Sequence, residues 1–238
     1  MEHKRGCVLK VKVVLFDLGG TLVTGWSLGD AFHRILLSLG INRSVEEVKE
    51  ASSKALKDFD APEYDSMYGK VSHKRFWNLW RSFVLKYLGL DDDEGLQEKI
   101  GARWYDYVDC DAYPEVKKTL ARLRSMGLRI GLVSIAYEED VWVILKEAGL
   151  ERDLFDVIVG GNTTEAIKPH REPFRYALKR LDVKPDEALF VGDEVEADYR
   201  AAERAGMKAV LIQRSEKDVK ARRLRTINNL EEIFKFIS

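Results

Sequence analysis

Val11 to Leu22 reads VKVVLFDLGGTL: an apolar run, Val11 to Phe16, closes on an aspartate, and two glycines follow. A run apolar nearly throughout is what a strand covered on both faces requires. In open parallel sheets, ligands gather beyond the carboxyl ends of the strands, which is where Asp17 stands. Gly19 and Gly20 let the chain turn tightly there and bring backbone groups close to a ligand. An aspartate in this place serves equally well as a turn or cap residue, so the rest of the chain has to decide.

Four more short apolar runs follow: LRIGLVS (Leu128 to Ser134), FDVIVG (Phe155 to Gly160), EALFVGD (Glu187 to Asp193) and MKAVLI (Met207 to Ile212). Helical patterns alternate with them. PEVKKTLARLRSMG has proline near its start, glycine at its end and apolar residues at Val116, Leu120 and Leu123. Residues 137–149, 171–181, 196–206 and 230–237 show similar spacing. Strands closely followed by helices predict an α/β fold, a Rossmann-like parallel sheet wrapped by crossovers. One interval breaks the alternation. Between Thr24 and Asp109 no strand is expected, and amphipathic patterns fall near 28–40, 44–59, 71–88 and 93–108, which predicts an inserted all-helical domain, a four-helix bundle. The expected division is a core of residues 1–23 and 110–238 with a helical domain of 24–109. Trp26, Trp77, Trp80 and Trp104 fall in the insert and are expected to build its interior.

The chain's 238 residues allow one large domain, or a domain carrying a smaller one. With 39 basic and 40 acidic residues the formal charge is −1, which argues against a nucleic-acid surface. Local charges still permit a small anionic substrate. Cys7 and Cys110 form no pattern and read as reduced thiols. The N-terminal run is interrupted by lysines and lacks a small-residue cleavage site, and no apolar stretch reaches membrane-spanning length. A cytoplasmic protein without a membrane partner is expected; the oligomeric state is not legible.

Polar residues ending the strands or in the following loops are Asp17, Ser134, Lys168 and Asp193, with Asp198 five positions further on. Singly, each has an ordinary use: Ser134 as a helix N-cap, Lys168 as a solvated loop lysine, the acids as helix-end charges. In order, FDLGGT, LVS, the lysine of IKP and VGDEVEAD resemble the four motifs of the haloacid dehalogenase superfamily, over most of the chain. The insert after the first motif resembles that superfamily's C1-type cap. The resemblance implies an aspartyl-phosphate mechanism. Asp17 would be the nucleophile, with Ser134 and Lys168 as its catalytic partners. Ser134, Ile135 and Lys168 would bind phosphate. Mg²⁺ would be held by Asp17, the backbone carbonyl of Gly19, and Asp193. Asp198 would orient Lys168 or a water on the metal. The implied substrate is a small phosphorylated metabolite.

One position departs from the pattern. The superfamily's phosphatases usually carry a second aspartate where this chain has Gly19, to protonate the leaving oxygen and then activate water. Its loss removes general acid–base help of roughly 10²–10⁴-fold unless another group substitutes, so either the chemistry is slow, the leaving group needs no acid, or the acid comes from the cap. Dehalogenases of the superfamily resemble DxYGT and need no Mg²⁺, whereas this chain lacks the tyrosine and keeps Asp193. Phosphonoacetaldehyde hydrolases resemble DxAGT and use a cap lysine, for which Lys54, Lys57 and Lys70 are available. A binding protein that kept the nucleophile and lost turnover is a further alternative. Tyr64, Lys70, His73 and Arg75 are the polar residues of the insert open to substrate contact.

Overall fold

The computed structural model describes residues 11–25, 27–59, 67, 70–90, 94–107, 109–214 and 224–237. Cys7, Trp26 and Tyr64 lie outside them.

The central strand β1 (Val13–Phe16) is wholly buried. It lies parallel to β4 (Arg129–Val133) on one side and to β6 (Ala188–Gly192) on the other, with Phe16 opposite both Leu132 and Val191. Three further strands complete the sheet: β5 (Val157–Val159), β7 (Lys208–Ile212) and β8 (Thr226–Ile227), in the order β5-β4-β1-β6-β7-β8. Successive side chains of a strand face opposite ways. Val14 and Phe16 therefore pack with Val116, Leu120 and Leu123 of helix α5 (Val116–Ser125) and with Val141, Ile144 and Leu145 of α6 (Glu138–Glu147). Val13 and Leu15 pack on the other face, against Phe174, Ala177 and Leu178 of α7 (Glu172–Arg180). A sheet covered on both faces needs apolar residues at every position of β1, and this is why the run does not alternate.

Among the described residues, four helices lie in the interval after β1: α1 (Leu28–Ser38), α2 (Val45–Phe59), α3 (His73–Tyr87) and α4 (Glu94–Arg103). The starts of α1 and α2 carry side-chain caps. The Ser27 hydroxyl accepts from the Asp30 amide, and Ser44 and Glu47 bond each other's backbone N–H. They enclose a separate core in which Phe32, Ile35, Trp80, Val84 and Trp104 are buried, Trp80 meeting Phe32 edge-on at 5.7 Å between ring centroids. Trp77 is only partly buried.

Several elements differ from expectation. Val23–Thr24 (β2) and Asp111–Ala112 (β3) pair antiparallel, so the insert is reached through a short two-stranded ribbon. The last helix of the insert tightens into a 3₁₀ turn over Trp104–Tyr107, and residues 230–236 form 3₁₀ rather than α-helical turns. Strand β8 is too short to carry a readable pattern. The expected helix over 196–206 opens instead as a π-helical turn, Val195–Arg200, before a short α-helical turn at Ala201–Arg204. The amides of Asp198 and Tyr199 both bond the Glu194 carbonyl, widening the turn by one residue. The wide turn brings Asp198 against the end of β6, where a Cβ at Gly192 would lie 2.3 Å from the Asp198 carboxyl carbon.

Candidate active site

Because β1 is flanked by β4 and β6 in parallel register, the residues after these strands converge at one edge of the sheet. Asp17, Ser134 and Asp193 all line a single cavity of about 330 Å³ there, together with Lys168, Asp198, Gly19 and Ile135. The seven residues singled out in the sequence thus share one site. Lys168 comes from the loop after β5. Its ammonium lies 2.6 Å from Asp17 Oδ1 and 2.6 Å from Asp198 Oδ1, and only 5% of the residue is exposed. It is not a solvated loop lysine. Asp198 also accepts from the Glu194 amide at 3.1 Å, so both its oxygens are engaged. Ser134 does not cap a helix: its hydroxyl accepts from the Ala136 amide at 3.2 Å, and the following helix begins at Glu138 after Tyr137.

Carboxylate oxygens of Asp17, Asp193 and Asp198 lie within 4.8 Å of one another. Burial lifts the Asp17 carboxyl to about 7, with Lys168 opposing and the charges of Asp198 and Asp193 adding to the rise. Burial and the charges of Asp198 and Glu194 push Asp193 up to about 6. Burial alone would lower Lys168, but the facing Asp17 and Asp198 outweigh it and hold the amine above the ordinary lysine range. A high Asp17 and a high Lys168 pull against each other, since the lysine gains only from ionised acids. A 2.6 Å contact between ammonium and carboxylate oxygen favours the ionised pair. Three acids around one ammonium leave an excess of negative charge, and a hard divalent cation offsets such an excess. The donor set therefore fits a divalent cation.

The two glycines differ. Gly20 has φ +70°, and a Cβ there would strike Asp193 Oδ2 at 2.2 Å, so any side chain would displace that acid. At Gly19 a Cβ would meet nothing within 4 Å, and the backbone is not left-handed.

The opposite wall of the cavity comes from the insert: Leu28, Leu56, Phe76 and Trp77. Of the polar residues proposed for substrate contact, Lys70 and Arg75 are exposed and do not line the cavity. Nor do the exposed Lys54, which pairs with Glu50, and Lys57. His73 points elsewhere, to a residue absent from the sequence reading. Asp140, in the first turn of α6, has no exposed surface and accepts from three side chains of the insert: Tyr105 Oη at 2.8 Å, Trp77 Nε1 at 2.8 Å and His73 Nε2 at 2.9 Å. Burial and the adjacent Asp140 push the Tyr105 hydroxyl well above the usual phenol range, so it stays a donor. Glu138, Glu139 and Asp140 read together as helix-start acids. The available signal was that Asp140 shares a helix face with Tyr137 and Ile144, which are both apolar.

The chain belongs to the haloacid dehalogenase-like hydrolases, whose family model matches residues 11–206. It is an enzyme of that superfamily, and relatives similar to it carry the names of phosphatases. A glyceraldehyde 3-phosphate phosphatase from Methanocaldococcus jannaschii is 30% identical over 233 residues, covering 94% of this chain and 95% of the relative. A pyrophosphatase PpaX from Bacillus thuringiensis is 29% identical over 205 residues, 86% of this chain and 84% of the relative. Among solved structures, a HAD phosphatase from Thermococcus onnurineus is 29% identical with a TM-score of 0.66, covering 96% of this chain and 98% of that one.

Proposed function

We propose that the protein is a Mg²⁺-dependent phosphoric monoester hydrolase, working through an aspartyl-phosphate on Asp17 and slow on esters with poor leaving groups. The observation that carries this reading is Lys168, buried and 2.6 Å from Asp17, in a cavity shared with Ser134 and Asp193. Asp17 attacks phosphorus, the bond to the leaving oxygen breaks, and water later releases phosphate from the carboxylate. Lys168 keeps Asp17 ionised and offsets charge on the incoming phosphoryl group, while Asp198 holds the ammonium in place. Ser134, through its hydroxyl, and Ile135, through its backbone amide, donate to phosphoryl oxygens. Asp17, Asp193 and the Gly19 carbonyl would hold Mg²⁺, which when bound supplies Lewis-acid charge to a phosphoryl oxygen. The helices of 24–109 act as the cap, covering the site against water.

Gly19 supplies no proton to the leaving oxygen and takes none from water, so the uncatalysed leaving tendency of the alcohol sets the rate. No cavity-lining lysine from the insert is present among the described residues, which favours this reading over a phosphonate hydrolase. The test is a hydrolysis screen over phosphoesters, acyl phosphates and phosphonates, run with Mg²⁺ and in excess chelator. Turnover of phosphoesters that stops on chelation and returns with Mg²⁺ is expected. Undiminished turnover in chelator, with Mg²⁺ shown to be absent, would defeat the assignment.

A further inference from the structure

The cavity has two unlike ends. Among the described residues, its floor carries Asp17, Lys168, Asp193, Glu194 and Asp198, while a further acid of the sheet side, Asp140, meets the far wall at Trp77. Its far wall is built from Leu28, Leu56, Phe76 and Trp77 of the insert, and Val23, Ile135, Tyr137 and Ile144 of the sheet side add to the lining. Among the described insert residues that line the cavity, the one polar side-chain atom, the Trp77 indole N–H, is spent on Asp140 at 2.8 Å. Among the described residues, Lys168 is the only basic side chain lining the cavity, and it is already shared by two carboxylates.

We infer that the substrate is a monophosphate of an aromatic hydroxyl, its ring held by Leu56, Phe76 and Trp77. The inference rests on the phosphatase reading of the floor and adds the identity of the leaving group. Two independent features lead to it. First, among the described residues, a leaving group with a second phosphate or a carboxylate would have to bury that charge against apolar side chains and the Asp140 carboxylate, with no basic side chain other than Lys168 lining the cavity to receive it, which is costly. An aromatic ring loses nothing there and gains ring contacts with Phe76 and Trp77. Second, Gly19 offers no acid, and a phenol, with a pKa of about 10, departs as its anion far more readily than an alkyl alcohol does. An Asp17 oxygen bonds to phosphorus as the P–O(aryl) bond breaks, and the aryl oxide leaves with the electron pair. Water then bonds to phosphorus as the P–O(Asp17) bond breaks. One water proton stays on the phosphate and the other reaches the aryl oxide, giving the phenol and hydrogen phosphate.

The experiment compares kcat/KM for 1-naphthyl phosphate, phenyl phosphate, acetyl phosphate and inorganic pyrophosphate with Mg²⁺ present. Acetyl phosphate has the better leaving group but little surface for the wall, so it separates ring recognition from ease of departure. The expected order is naphthyl, then phenyl, then acetyl phosphate, with naphthyl ahead of acetyl by about tenfold or more, the scale of apolar-pocket discrimination. Leu56 is exposed at its edge, so Leu56→Lys should fold. It should lower the naphthyl-to-acetyl ratio by about tenfold by taking apolar surface out of the wall and setting a solvated charge at its rim. Turnover in which acetyl phosphate or pyrophosphate leads, or a ratio unmoved by Leu56→Lys, overturns the aromatic assignment while leaving the phosphatase reading standing. No turnover of any of the four overturns both.

Discussion

Two buried carboxylates line the same cavity and are treated oppositely. Asp17 faces a single ammonium and sits among two other acids; Asp140 faces no acid in that cluster and spends its oxygens on an imidazole, an indole and a phenol. Charge left in excess keeps Asp17 high in energy and ready to bond to something else, a cation or a phosphorus atom. Polar groups satisfied on every side make Asp140 a fastener between α6 and the insert. The difference shows that burial alone does not mark a reactive acid. The imbalance of its partners does.

The largest effect expected from this contrast is at Asp17. Asp17→Asn keeps the shape but removes the attacking charge, and turnover should fall by on the order of 10⁴–10⁶-fold, to background. Because the native carboxylate is held above its ordinary range by burial and like charges, the variant should melt at the same temperature or higher. Substantial residual activity, or a markedly lower melting temperature, would make Asp17 a structural acid like Asp140 and erase the comparison.

Gly19→Asp comes next. The space beside Gly19 is open and its backbone is not left-handed, so the new carboxyl enters without displacing Asp193, as a side chain at Gly20 would. Turnover of alkyl phosphates should rise, by at most roughly 10²–10⁴-fold, with aryl phosphates gaining less in the first step. A fall in alkyl-phosphate turnover, with unchanged melting and Mg²⁺ affinity, would show that something other than a missing acid limits the reaction.

The smallest effect is expected at Asp140, and it should appear in stability first. Asp140→Ala leaves the Trp77 indole N–H without its acceptor and should cost about 1–3 kcal/mol, read as a lower denaturation midpoint. Asp140→Asn, which keeps oxygen on one side only, should recover part of the loss. An Asp140→Ala variant as stable as the parent, but inactive, would place Asp140 in the chemistry instead.

The parallel sheet was legible because β1, β4, β6 and β7 are buried almost throughout and, with the partly buried edge strand β5, read as largely apolar runs. The helical insert was legible for the complementary reason, a strand-free interval with helical periodicity. The residues after β1, β4 and β6 could be gathered in advance because parallel strands end at a common edge. What local pattern could not reveal was orientation and partnership. In the sequence, Lys168 resembles any loop lysine, and only the fold lays its ammonium between Asp17 and Asp198. The π-helical turn that delivers Asp198 lays it against Gly192, six residues earlier, a local widening that helical periodicity does not show. His73, Trp77 and Tyr105 stand 67, 63 and 35 positions from the Asp140 they share, so no spacing rule relates them. Strand and helix patterns are set by neighbours within a few residues, and these the sequence determined by itself. Which side of an amphipathic helix meets the sheet, and which buried acid meets an ammonium rather than an imidazole, an indole and a phenol, is set by packing between distant segments, so only the tertiary structure decided it.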